Sequence, residues 1–301
     1  MTHFRTAWCH VNNIRPVVIL WLVALTVCMP AHAAKIRYTF DGWAGPPLRV
    51  YATRPAGLAA DRPVVFVMHG VRRNARDYRD QWHELAKRHR FLLLVPEFGA
   101  RNFSGAEGYN FGYQRDRDGR PRSRERWAYA ALEPLFDDAR RRFGSSAERY
   151  GLYGHSAGAQ FVHRYLFFVP AARVARVVSA NAGWYMMPDY SAAYPYGLGD
   201  SSVTPEDLRR ALALPVTVLL GAHDTDPGHS SLRRTPEALR QGATRLERGR
   251  HFFSAARAYA EQQKIPFNWQ QVMVPRVGHD NRLMAPAAVS HLLGTPATEG
   301  R

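Results

Sequence analysis

A serine hydroxyl attacks a carbonyl only when a base takes its proton, so the chemistry of this chain turns on three residues: a serine, a base and a group that orients the base. Gly154-His155-Ser156-Ala157-Gly158 has the pattern G-x-S-x-G. That pattern arises by chance in about one chain in ten of this size at ordinary residue frequencies, so its surroundings carry the weight. It lies between an apolar run, Tyr150–Tyr153, and a stretch in which Phe161, Val162, Tyr165, Leu166 and Val169 recur at helical spacing. Strand, sharp turn and helix are the setting that projects a nucleophilic serine from the end of a sheet. Side chains at Gly154 and Gly158 would collide with each other or with neighbouring strands.

The base is expected after the last strand. There His279 stands in Val277-Gly278-His279-Asp280, just beyond the strand-like run Trp269–Val274. A neutral imidazole accepts the Ser156 proton and returns it to the leaving group; protonation near the ordinary histidine range, about pH 6.5, should therefore slow the reaction. The orienting acid should follow the preceding strand, Val216–Leu220, which leads into Gly221-Ala222-His223-Asp224-Thr225-Asp226. Asp224 is favoured, with Asp226 as the competitor two residues on. Two backbone N–H groups are needed for the developing oxyanion. One is assigned to Ala157, directly after the nucleophile. The other is assigned to Val71 in Met68-His69-Gly70-Val71, where Gly70 allows close approach of the backbone.

Strand-like runs that alternate with helical stretches must position these groups. Lys35–Phe40 and Leu48–Thr53 read as opening strands, followed by Val64–Met68, Phe91–Val95, Tyr150–Tyr153, Val174–Ala180, Val216–Leu220 and Trp269–Val274. Helices are predicted around 77–90, 127–143, 157–169, 236–263 and 285–293, and residues 99–125 read as a long loop. The predicted fold is α/β: a doubly wound, mostly parallel sheet with antiparallel first strands and a small aromatic-rich insertion over Asn181–Asp200.

The run Val65-Phe66-Val67-Met68-His69-Gly70 and the motif at 154–158, with Gly221-x-x-Asp224 and Gly278-His279, resemble the α/β-hydrolase superfamily. Within it the chain is most similar to the secreted esterase and polyhydroxybutyrate-depolymerase-like group, over essentially all of residues 35–294. The order Ser156, Asp224, His279 is the chain order of that architecture and differs from the chymotrypsin and subtilisin orders. The resemblance implies hydrolysis of carboxylic esters without a cofactor. After Gly70 the chain departs from the group: Val71-Arg72-Arg73-Asn74 stands where members often have small residues or cysteine.

Substrate contacts are expected from the insertion, with Trp184 and Tyr185 as the foremost residues, and from Tyr109 in the long loop; Asn110 and Tyr113 are weaker candidates for the same cleft. A packed insertion whose aromatics cover the sheet edge is the competing reading. Net charge is +16, and only Lys35, Lys87 and Lys264 among the 41 basic residues are lysines. Arg115, Arg117, Arg120, Arg122, Arg124 and Arg126 are half offset by Asp116, Asp118 and Glu125. A nucleic-acid surface would pair a denser basic face with stacking aromatics, so none is expected; an anionic polymer stays open as a partner. The scattered histidines lack ligand spacing, and no metal site is expected.

Residues 1–33 read as a signal peptide. Arg5 and Arg15 precede an apolar run, Val17–Met29, and Ala31-His32-Ala33 gives a small-x-small cleavage pattern. The run is short of the about 20 residues a membrane span needs, so no stable membrane anchor is expected once it is cleaved. Cys9 and Cys28 both lie within residues 1–33, which leaves residues 34–301, the expected hydrolase domain, without a disulfide. The expectation is a periplasmic or secreted serine hydrolase acting on a small-molecule or polymeric ester. The alternatives are an amide hydrolase, including a depolymerase of an anionic polyamide, and a non-catalytic binding protein on the same scaffold.

Overall fold

Each strand of the sheet has the composition its position requires. The central strands are continuous apolar runs because both of their faces are covered. The computed structural model describes residues 1, 2, 33–116 and 118–294. The predicted signal peptide therefore lies outside the described residues except at its ends, as does Arg117. The strands are β1 (Ala34–Phe40), β2 (Leu48–Arg54), β3 (Val64–Met68), β4 (Leu92–Glu97), β5 (Tyr150–His155), β6 (Val174–Ala180), β7 (Val216–Gly221) and β8 (Trp269–Val274). They form one eight-stranded sheet in the order β1-β2-β4-β3-β5-β6-β7-β8. The β1–β2 and β2–β4 pairings are antiparallel and the remainder parallel, as the predicted fold class requires.

Alternate residues of β3 serve two cores. Val64, Phe66 and Met68 pack on one face, and Val65 and Val67 on the other. The second face is covered by α1 (Ala75–His89) and α7 (Asn281–Leu293) through Tyr78, Trp82, Met284 and Val289. The first is covered by α2 (Leu132–Phe143), α3 (Ala157–Phe168), α4 (Pro205–Ala213) and α6 (Arg245–Gln263). The sheet reverses its winding direction between β3 and β5, and the crevice beyond the strand ends at such a point is where open α/β sheets bind ligands.

Several elements differ from expectation. Strand β4 continues through Pro96, because its ladder with β3 ends at Leu94 and a residue without an N–H is tolerated on a half-paired strand. The helix expected over 127–143 is α-helical only from Leu132; two 3₁₀ turns precede it, since Pro134 would clash with a helical carbonyl four residues back. The stretch 236–263 is divided at Gly242 (φ 146°) into α5 (Pro236–Gln241) and α6, which starts at a Thr244–Glu247 capping box. Helix α4 was not anticipated, although Thr204 and Asp207 form a reciprocal cap at its start.

Candidate active site

Ser156, Asp224 and His279 come together at the carboxyl ends of β5, β7 and β8. His279 Nε2 lies 3.0 Å from Ser156 Oγ, and His279 Nδ1 lies 2.7 Å from Asp224 Oδ2. With Nδ1–H donating to the carboxylate, Nε2 is left as the acceptor for the serine hydroxyl. Asp226 is exposed and spends Oδ1 on the Gly228 N–H, so the choice between the two aspartates falls on Asp224. His279 is held from behind: Asp280 caps α7 by accepting from the N–H groups of Arg282 and Leu283, which starts that helix four residues earlier than its apolar pattern suggested.

Ser156 sits at φ 59° and ψ −115°, a conformation that costs roughly 1–3 kcal/mol for a residue with a side chain. The strain is held by the Ser156 N–H donating to the Ala180 carbonyl of β6 at 3.0 Å and by the start of α3. A Cβ on Gly154 would stand 2.2 Å from the Gly158 carbonyl oxygen, and one on Gly158 would stand 2.1 Å from the Met68 carbonyl oxygen. The turn thus exists only with glycine on both sides. His155 is buried beside it with its ring 4.7 Å from that of His279 and its Nδ1 3.1 Å from the Tyr78 hydroxyl. Burial, and then the neighbouring His279, hold the His155 imidazole well below its ordinary pKa, so it stays neutral.

Ala157 is the first residue of α3, whose opening N–H groups have no helical partner. Val71 is 57% exposed and borders cavities on both sides of Ser156. The loop that carries Val71 is fixed from below. The Phe98 N–H donates to His69 Nε2 at 3.1 Å, so His69 Nδ1 carries the proton and donates to the Gly70 carbonyl at 3.0 Å. Burial pushes this imidazole down to about 3. Arg73 donates to the carbonyls of Phe98 and Gly105 and lies over the Tyr109 ring at 4.3 Å.

Tyr109 and Tyr185, expected to contact substrate, are both fully buried and border neither cavity. The Tyr109 hydroxyl donates to the His69 carbonyl at 2.8 Å, so this residue braces the Val71 loop. Tyr185 stacks on Phe252 at 4.3 Å, and its backbone exchanges two hydrogen bonds with the Gln241 amide. Trp184 and Asn110 do border a cavity beside Ser156. The rest of the insertion lines a separate cavity with Met187, Tyr194 and Tyr196, and Tyr196 also packs on Trp184 at 4.5 Å. The basic loop folds on itself: Arg115 donates to the Gly119 carbonyl, Asp116 accepts from two loop N–H groups, and Arg122 covers Tyr113 at 4.0 Å.

The segment after Asp224 holds site residues that the sequence reading did not single out. Arg245, 1% exposed at the start of α6, donates from Nη1 to Asp224 Oδ1 at 3.3 Å. Its Nη2 donates to Ser231 Oγ at 3.0 Å and to His229 Nδ1 at 3.2 Å. The carboxylate therefore has one oxygen on His279 and the other on a guanidinium tied to the loop beside it. The larger of the two cavities at Ser156, about 350 Å³, is bordered by Arg72, Tyr78, Gln81, His229 and Asn281 along with Ser156 and His279. A smaller one, about 180 Å³, lies on the Ala157 side. Among the described residues no cluster of three or more His, Cys, Asp and Glu is placed to hold a metal, and no helix is long and apolar enough to cross a membrane.

No protein-family model matches the chain, and no curated protein matches it. Among solved structures, poly(aspartic acid) hydrolase-1 from Sphingomonas sp. KT-1 is 42% identical, with a TM-score of 0.84, over 88% of this chain and 99% of that one. LpqC, a poly(3-hydroxybutyrate) depolymerase from Bordetella parapertussis, is 38% identical, with a TM-score of 0.80, over 86% and 89%. The chain is an α/β-hydrolase of the esterase and depolymerase group. A siderophore hydrolase, EstB from Aspergillus nidulans, shares the α/β-hydrolase fold at 12% identity and a TM-score of 0.52, over 90% of this chain and 97% of that one.

Proposed function

We propose that this α/β-hydrolase cleaves carboxylic esters through an acyl-enzyme, with Ser156 as nucleophile, His279 as general base and acid, and Asp224 as the group that orients His279. The observation that carries the reading is the unbroken run of hydrogen bonds from Ser156 Oγ through His279 to Asp224, opening on cavities to either side of the serine. Ser156 Oγ adds to the carbonyl carbon as His279 Nε2 takes its proton. The oxyanion is met by the N–H groups of Ala157 and Val71. The same proton then goes to the leaving alkoxide, and water repeats the sequence to release the acid. Hydrolysis of p-nitrophenyl esters of graded chain length tests this, beside a Ser156→Ala control. Turnover that disappears in the control is expected. A folded wild type that turns over none of them, and that an organophosphonate does not label, would refute it.

Amide cleavage by the same residues is the second reading, favoured by the 42% identity to a poly(aspartic acid) hydrolase. In either case the leader features of residues 1–33 support export, with the work done in the periplasm or outside the cell by residues 34–301.

Arg245 is proposed to position Asp224 and to moderate its charge. In Arg245→Met the carboxylate loses a cation at 3.3 Å and stabilises the imidazolium of His279 more strongly. The acid limb of the rate profile should then move to higher pH, with a lower plateau. Arg245→Lys keeps the charge and should leave the limb in place. An unmoved limb in Arg245→Met means that the guanidinium acts only in packing.

A further inference from the structure

The smaller cavity beside Ser156 carries a positive charge that nothing among the described residues balances. Arg233 borders it, half-buried, with its guanidinium carbon 4.9 Å from the centre of the Trp184 ring. Its Nε donates to the Tyr196 hydroxyl at 2.7 Å, which fixes the side chain. Among the described residues it makes no ion pair, and neither Nη has a hydrogen-bond acceptor. Arg245 also borders the cavity, but its charge already faces Asp224. No aspartate or glutamate borders it. Asn110 donates from Nδ2 to Gln160 Oε1 at 3.1 Å, which turns the Gln160 amide so that its N–H₂ has no acceptor among the described residues.

A fixed guanidinium and an amide donor, both without acceptors and beside the nucleophile, match one class of ligand group. A carboxylate offers two oxygens to a planar donor fork and gains charge-assisted hydrogen bonds there, beside the Trp184 ring. A neutral alkyl acyl chain would leave the guanidinium partly desolvated with no partner, which is costly. From this we infer that the Ala157-side cavity is an acyl subsite for a carboxylate, held by Arg233 with Gln160, and that the preferred substrate is the half-ester or half-amide of a dicarboxylic acid. The inference rests on the proposed acyl transfer at Ser156 and adds the chemistry of the acyl group.

The test compares kcat/KM for mono-p-nitrophenyl adipate with that for p-nitrophenyl hexanoate, whose acyl chain has the same number of carbons and no charge. The wild type should prefer the adipate ester, and added salt should erode the preference. Arg233→Met should lower the adipate-to-hexanoate ratio by about 10- to 100-fold, the loss of one charge-assisted pair. Arg233→Lys should lower it less. Arg141→Met, which removes one exposed arginine from α2, should leave it unchanged. No preference in the wild type, or equal losses in the Arg233 and Arg141 variants, would overturn the subsite. Calorimetric titration with glutarate, against butyrate, reads the subsite without turnover. Glutarate binding lost in Arg233→Met, in a protein that cleaves neither ester, would keep the subsite and reject ester hydrolysis; no glutarate binding and no turnover would reject both.

Discussion

Replacing Ser156 or His279 by alanine is expected to lower kcat by about 10⁴- to 10⁶-fold, and replacing both to do no more than either alone. The reason lies in the 3.0 Å contact between His279 Nε2 and Ser156 Oγ. The base serves the reaction only by taking that one proton, so without the hydroxyl its further loss removes nothing. A residual rate over water should persist in all three variants, because the N–H groups proposed for the oxyanion, those of Ala157 and Val71, would remain. Steady-state rates on the best p-nitrophenyl ester, with circular dichroism to confirm the fold, decide the matter. A double variant that multiplies the two single losses would mean that the residues act independently, and the relay would be the wrong description.

Gly158→Ala is expected to damage stability and turnover together. The added methyl would stand 2.1 Å from the Met68 carbonyl oxygen and 2.9 Å from that of His69, both main-chain atoms that no rotamer change can move aside. Relief requires α3 to withdraw from the end of β3, which moves Ser156 and the Ala157 N–H away from Val71. Overpacking of this kind costs roughly 1–3 kcal/mol and at times more, and a shift of about 1 Å at reacting groups costs on the order of 10²-fold in rate. Gly99→Ala is the control: a Cβ there meets nothing within 4 Å. Thermal melts and kcat for the two variants should diverge sharply. A Gly158→Ala protein with wild-type melting and turnover would show that the helix start is free to move.

What the sequence disclosed about the site was the part encoded in order along the chain. Ser156, Asp224 and His279 each follow an apolar run that ends in glycine or a short turn, and the sheet then brings the strand ends together. Val71 and Ala157, proposed as the oxyanion donors, were named from the same strand ends. Of the side chains that shape the cavities, Trp184 and Asn110 were legible and most others were not. Tyr109 and Tyr185 carry the aromatic character expected of a cleft, yet composition does not say which side of the backbone faces the core. Arg233, Arg245, His229 and Ser231 lie in a polar segment without period, and their roles depend on partners more than ten residues away. Helix α6 hid its boundary for a related reason. It buries Arg245 and Arg248 beside Leu246 and Phe252, so its inward face is not apolar. Helix α4 was the exception, since Thr204-Pro205-Glu206-Asp207 is a start signal in plain sequence.

The guanidinium of Arg245 joins two things an engineer would wish to vary separately. The loop with His229 and Ser231 forms a wall of the cleft, and reshaping it is the obvious route to a bulkier substrate. Through Arg245 the same loop grips the carboxylate behind His279, so remodelling the wall alters the driving force of proton transfer as well as the room available. Selections for broader substrate range at residues 229–231 should therefore return slow variants first. Restored speed should come from second changes at position 245 or its neighbours, not from the loop itself.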